Sequence, residues 1–221
     1  MVRDVVVLAS GRGSNFAALL DAQRQGELPI RIRALLSDKP AAHALARARE
    51  AGIDAVALAP TDFPDRAAFD RALFARVAGY APDLIVLAGY MRVIDTAVVN
   101  EWRGRMINIH PSLLPKYPGL RTHARALAAA DSVHGASVHF VTSQLDGGPV
   151  IAQVEMPIRS DDSPATIAAR LLPLEHRLLV ASVDLIARGR VVLGRDVVEF
   201  DGMPLAAPLK LRAGGTLGVV G

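Results

Sequence analysis

Val5-Val6-Val7-Leu8-Ala9-Ser10-Gly11-Arg12-Gly13-Ser14-Asn15 is the stretch on which the fold turns. A continuous apolar run leads straight into a glycine turn, and apolar residues at helical spacing follow. A strand that is apolar at every position has no face for water, so it is buried on both sides. The glycines admit a tight turn, and Asn15 can cap a helix carrying Phe16, Leu19 and Leu20 that ends near Gly26.

The same alternation continues along the chain. A second strand is expected over Ile30–Leu36, then a helix from about Ala41 to Ala51 with Gly52 beyond its end. Ala55–Leu58 reads as a short strand and Pro64–Ala78 as a helix that starts with proline and acids. Pro82-Asp83 introduces the strand Leu84–Ala88. A short helix near Thr96–Trp102 leads to the strand Met106–His110. Strands alternating with helices imply an α/β fold, a doubly wound, mostly parallel sheet with helices on both faces.

After residue 130 the pattern changes. Gly135–Thr142 and Val150–Met156 read as an antiparallel pair around the turn Asp146-Gly147-Gly148. A helix starts at Ser163, with Pro164 in its first position, and runs towards Arg188. Pro173 inside it is expected to kink or break it. Val191–Leu193 and Val197–Phe200 can form a C-terminal antiparallel hairpin. The Gly-, Pro- and Ala-rich segment 201–221 is expected to be irregular, and residues 1–200 to form a single domain without repeats or a linker.

With 221 residues the chain can bury a substantial core. Its longest apolar runs, Val5–Ala9 and Leu84–Ala88, are far too short to span a bilayer, and its N-terminus does not read as a signal peptide. A cytoplasmic protein with no membrane partner is expected, as a monomer or homodimer. The absence of cysteine excludes disulfides, a thiolate nucleophile and Cys-ligated metal. The net charge of +3 is spread out, without a basic block, which suits small anionic ligands better than nucleic acid.

Chemistry is concentrated in Asn108-Ile109-His110-Pro111-Ser112-Leu113-Leu114-Pro115 and in Leu145-Asp146-Gly147-Gly148-Pro149. Residues two apart on a strand face the same way, so Asn108 and His110 can converge on one substrate atom. An amide donor, an imidazole that titrates near neutrality and a carboxylate to tune it are what acyl transfer needs. The loop Ser10–Asn15 can close backbone N–H groups around an anion at a helix N-terminus. Phe16 stands where a dinucleotide fingerprint wants a small residue, so a single phosphate fits better than a pyrophosphate. His139 alternates with Val138 and Phe140 and can face the same side as the site. His43, His123, His134 and His176 read as surface or structural. No spacing matches a zinc site, so no metal is expected.

These two motifs and the Pro111–Gly119 stretch (Pro-Ser-Leu-Leu-Pro-Lys-Tyr-Pro-Gly) resemble the folate-dependent formyltransferases over roughly Val5–Phe200. The resemblance implies formyl transfer from 10-formyltetrahydrofolate as co-substrate to the amine of 5-phosphoribosylglycinamide, in purine biosynthesis. It implies that Asn108, His110 and Asp146 form the catalytic triad, and that Gly13, Ser14 and Asn15 hold the ribose phosphate. Glu175 is implied to grip the glycinamide, although Pro173 and Leu172 depart from the family pattern beside it. Folate is implied to lie against Met91, Arg92, Val93 and Ile94 and against Thr142, Ser143, Gln144, Leu145 and Asp146, with Asn108 also in contact. Arg66 matches a position near the glutamate tail of folate, though an Arg in a first helical turn is usually a surface charge. The N-terminal half is thereby expected to bind ribonucleotide, and the C-terminal half to bind folate and carry the catalysis. A formyltetrahydrofolate hydrolase would be expected to carry an extra N-terminal domain, and a tRNA-directed relative a C-terminal nucleic-acid-binding one; neither is expected here. A non-enzymatic nucleotide-binding module would explain the Gly13 loop alone.

Overall fold

The computed structural model describes residues 2–219, and they form two compact units that divide between Asn108 and Ile109. Among the described residues no helix is long and apolar enough to cross a membrane.

The first unit is a parallel sheet with crossover helices. In chain order it contains β1 (Arg3–Leu8), α1 (Ser14–Arg24), β2 (Ile30–Ser37), α2 (His43–Glu50), β3 (Asp54–Ala57), α3 (Arg66–Ala78), β4 (Leu84–Leu87), α4 (Thr96–Glu101) and β5 (Met106–His110). β5 crosses the boundary between the units. The strand order is β5-β4-β1-β2-β3, every pairing parallel, with Val5 opposite Leu84 and Leu87 opposite Asn108. Val5–Ala9 are fully buried. Successive strand residues point to opposite faces, so both faces of β1 are covered. The winding reverses at β1, between β2 and β4. Ligands of such sheets bind beyond the carboxyl ends of the strands at this switch point, here the loops 9–13 and 88–95.

Two of the boundaries that differ from the sequence reading involve candidate site residues. Gly13, with φ +73°, is the N-cap of α1, and Asn15 is its second residue rather than its cap. A Cβ on Gly13 would lie 2.8 Å from both Cα and Cβ of Ala44, so the start of α2 packs directly on this glycine. The expected 64–78 helix begins only at Arg66, where Asp65 caps it by accepting the Ala68 N–H at 2.7 Å. A separate 3-10 turn, Pro60–Asp62, precedes it.

The second unit contains α5 (Thr122–Ala128), β6 (Val133–Phe140), β7 (Val150–Pro157), α6 (Pro164–Ala187), β8 (Val191–Leu193), β9 (Val198–Phe200), β10 (Met203–Pro204), β11 (Leu209–Leu211) and β12 (Leu217–Gly218). β6 and β7 pair antiparallel, as do β8 and β9, and β10 adds a third strand to the latter pair. The expectation of an irregular tail is corrected: Leu209 and Lys210 of β11 pair in parallel with Ala152 and Gln153 of β7, and β12 pairs antiparallel with β11. Three alternating residues carry almost no local signal, and the strand exists because β7 offers an edge and Leu209 becomes fully buried there. Val220 and Gly221 of the expected tail lie outside the described residues.

α6 also departs from expectation, running unbroken through Pro173. Pro173 and Ala169, whose carbonyl loses its partner, both lie on the exposed side, where water can satisfy that carbonyl. A proline in a helix interior costs about 3 kcal/mol. Ile167, Leu171, Leu178, Leu179 and Val183 are fully buried, each contributing about 1.5–3 kcal/mol, which offsets that cost. A capping box between Ser163 and Thr166 fixes the start of the helix.

Candidate active site

β5 ends in His110, which is 6% exposed. Its Nε2 lies 2.9 Å from the Tyr117 carbonyl. A carbonyl only accepts, so the neutral ring carries its proton on Nε2 and presents a lone pair at Nδ1. Nδ1 stands 3.4 Å from Asp146 Oδ2. Tyr117 (φ +56°) and Asp146 (φ +48°) both take left-handed backbone conformations, which aim the carbonyl and the carboxylate at the ring. Gly148 behind Asp146 admits no side chain, because a Cβ would overlap the Phe140 carbonyl.

Asp146 is held from several directions. Its Oδ2 accepts the Gly119 N–H at 2.8 Å, and its Oδ1 is 3.6 Å from His139 Nε2. His139 is 2% exposed, and its Nδ1 bonds the Phe140 carbonyl at 2.9 Å. Burial pushes the Asp146 carboxyl up, but the His139 and Gly119 hydrogen bonds and the charges of His110 and His139 outweigh it, so the group stays below the usual carboxylate range. For His110 the balance goes the other way. Burial pushes its pKa below the ordinary 6.5, and the Tyr117 carbonyl and Asp146 charge only partly restore it. Asp146 does raise His110, as the sequence suggested, yet desolvation wins, and the resting ring is neutral near neutrality. Asn108, half-buried, stands two residues before His110 on β5, at the spacing that points both side chains to one face.

Other residues of the second unit extend this picture. Thr142, Ser143, Gln144 and Leu145 form the loop that runs into Asp146; Leu145 is 53% exposed, and Thr142 Oγ1 donates to the Gln144 carbonyl at 3.4 Å. Glu175 lies half-buried on α6. His123 Nδ1 and His134 Nε2 are 3.0 Å apart, and His134 is buried, so these two form an internal pair rather than surface residues.

In the first unit the loops 9–13 and 88–95 are tied together by Ser10. Its buried hydroxyl donates to Asp38 Oδ1 at 2.5 Å and accepts the Met91 N–H at 2.9 Å. Gly13 caps α1, half-buried Ser14 and buried Asn15 begin it, and Asn15 Oδ1 has no hydrogen-bond partner among the described residues. Met91 and Val93 are exposed and Ile94 is buried. Arg92 is not simply solvated: its guanidinium carbon lies 5.0 Å from the centre of the Phe69 ring. Neighbouring Asp70 is fully buried and accepts the Asp95 N–H at 2.8 Å; burial raises its pKa against the charges of Arg92 and Arg66. Arg66 itself is exposed at the first position of α3.

Sequence reasoning put His139 on the side of the site, where it lies 3.6 Å from Asp146, but missed Ser10 as an anchor of the 88–95 loop. Alternation along β6 was the only signal for His139, and nothing local pointed to Ser10. No group of three or more His, Asp or Glu among the described residues could hold a metal ion.

Comparison with known proteins bears on this arrangement. The family model described as formyl transferase matches residues 3–183. Phosphoribosylglycinamide formyltransferase of Escherichia coli (strain K12) is 46% identical over 202 residues, covering 91% of this chain and 95% of that protein. The human trifunctional purine biosynthetic protein adenosine-3 is 37% identical over 192 residues, 87% of this chain but 19% of that much longer protein. The solved structure of phosphoribosylglycinamide formyltransferase from Coxiella burnetii in complex with CHES superimposes with a TM-score of 0.90 at 45% identity, covering 93% of this chain and 97% of that one.

Proposed function

The chain belongs to the formyl transferase family, and from that premise we propose that it transfers the formyl group of 10-formyltetrahydrofolate to the amine of 5-phosphoribosylglycinamide in purine biosynthesis. The observation that carries this reading is the buried pair His110 Nδ1–Asp146 Oδ2 at 3.4 Å, with His110 two residues after Asn108 on β5.

An α-amino group with a pKa of roughly 8 is partly neutral at physiological pH and can attack the formyl carbon directly. As the new C–N bond forms, the carbonyl electrons move onto oxygen. Asn108 donates an amide N–H to that oxyanion, a contact whose loss costs about 10²–10³ in rate at comparable sites. The attacking nitrogen now carries a surplus proton. His110, neutral at rest, takes it at Nδ1, and the Asp146 carboxylate offsets the charge so formed. The proton then passes to the folate nitrogen as its bond to the formyl carbon breaks. His110 is thus a shuttle that accepts before it donates, consistent with a pKa below 6.5.

Binding roles follow residue by residue. Gly13, Ser14 and Asn15 hold the ribose phosphate at the N-terminus of α1, an end that favours anions. Glu175 grips the glycinamide part of the substrate. In the first unit the folate-binding residues are Met91, Arg92, Val93 and Ile94, and in the second Thr142 to Asp146; the Met91 N–H is already engaged with Ser10, so Met91 acts through its carbonyl or side chain. Arg66 is assigned to the anionic glutamate tail of the folate. Folate carrying a labelled formyl carbon tests the proposal: the label should appear on the glycinamide nitrogen, and its absence from that product overturns the assignment.

A further inference from the structure

The segment between β5 and α5 carries the Tyr117 carbonyl that fixes the His110 ring. That segment is backed by open space: a cavity of about 370 Å³ is lined by Lys116, Tyr117, Asp131, His134, Gln153 and Glu155, among others. Leu113 also lines that space and Leu114 is buried, while the segment's buried backbone groups are held there by hydrogen bonds.

Those bonds form one chain leading out of β6 and β7. Ser137 Oγ donates to the Ser112 carbonyl at 2.7 Å and accepts the Leu114 N–H at 3.0 Å. Gln153 Nε2 donates to the Leu114 carbonyl at 2.8 Å and to Ser137 Oγ at 3.0 Å. Ser137 thereby uses its one donor and both acceptor positions. Gln153 Oε1 accepts from Lys210 Nζ at 3.2 Å, and Lys210 is held in turn by Glu155 at 2.5 Å. The amide orientation is determined without ambiguity: an ammonium can only donate and a carbonyl can only accept, so the Gln153 oxygen faces Lys210 and its nitrogen faces Leu114. Ser112, Leu114, Ser137 and Gln153 are all buried, where each bond is desolvated and an unmet partner is costly. Inside the loop, Ser112 Oγ donates to the Lys116 carbonyl at 2.6 Å, one residue before Tyr117.

We infer that Gln153 and Lys210 are positioning residues for His110, acting through Ser137 and Leu114 to hold the loop that presents the Tyr117 carbonyl. The inference rests on the reading of His110 as the proton shuttle. It gives the C-terminal strand β11 a role in the reaction, since Lys210 clamps the amide that clamps the loop.

Gln153→Met keeps the volume and removes the amide. Its kcat should fall at least about tenfold while KM for both substrates stays within about twofold. The acid limb of its kcat–pH profile should move, because the His110 environment moves. Lys210→Met, which empties no core position, should lower kcat about threefold, and Lys210→Arg should restore it. Wild-type kcat and an unmoved profile in a folded Gln153→Met protein overturn the inference. So does a joint rise of both KM values with loss of thermal stability, which marks a merely structural role. If Gln153→Met fails to fold, the Lys210 pair decides alone: wild-type kcat in Lys210→Met, or no restoration by arginine, overturns it. His110→Ala run alongside separates the two levels, because wild-type turnover there removes the shuttle reading itself.

Discussion

His110 Nδ1 stands 3.4 Å from Asp146 Oδ2, with the two side chains only 7% and 9% exposed. At that separation in a dry site the carboxylate governs what the imidazole can do, yet burial still holds the ring below its ordinary pKa. A neutral imidazole beside a fixed carboxylate is an acceptor waiting for a proton, and the pH behaviour follows from that order of events.

Asp146→Asn should lower kcat by about 10²-fold or more and move its acid limb to lower pH. The sign is determined by the charges. Wild-type activity rises with pH as His110 loses its proton, at a pKa already below 6.5. The Asp146 charge pushes that pKa up, so removing it lets burial take the value lower still. A kcat–pH profile of the variant checks this, and a limb at the wild-type position would remove Asp146 from the mechanism.

Acid should weaken the fold through the inner histidine pair. His134 is pushed down to about 4, chiefly by burial and then by the His123 charge, from an ordinary 6.5. The unfolded chain takes up this proton at the ordinary value while the folded one refuses it. Stability is therefore complete above 6.5 and is lost as the pH falls towards 4. The loss from His134 is on the order of 3 kcal/mol across that window. His110 and His123, shifted in the same direction, add to it. Urea unfolding at about pH 7.5 and about pH 4.5 measures the difference, and His134→Gln should shrink it. Equal stability at the two pH values in the wild type would contradict this.

Gly13→Ala should raise KM for the ribonucleotide and leave folate affinity nearly unchanged. Its Cβ would press on Ala44 at 2.8 Å, and at φ +73° any side chain is strained. Displacing the start of α2 distorts the turn that presents its N–H groups to phosphate. Adding Ala44→Gly removes one of the two clashing atoms and should recover part of the lost affinity. Equal weakening of both ligands would instead show that the loop serves neither one selectively.

Much of the first unit was legible because its information is local. Val5–Ala9 is apolar at every position, and Met106–His110 was read with the ends the structure gives it. What escaped depends on distant partners. β11 is three residues long and exists only against Ala152 and Gln153. Pro173 reads as a helix breaker until its exposed side is known. The contact of His139 with Asp146 and the anchoring of Met91 by Ser10 join residues whose spacing in the chain carries no pattern. The pairing of His110 with Asp146 entered through a family resemblance, since neither motif alone says that the other lies beside it.

The most direct test of the central claim follows consumption of 10-formyltetrahydrofolate with and without 5-phosphoribosylglycinamide. A transferase that orients the amine on the formyl carbon and keeps bulk water away should leave the folate almost untouched alone. With the ribonucleotide added it should give rapid, stoichiometric formylated product. Free formate released at a similar rate in both reactions, or no consumption in either, would contradict the account.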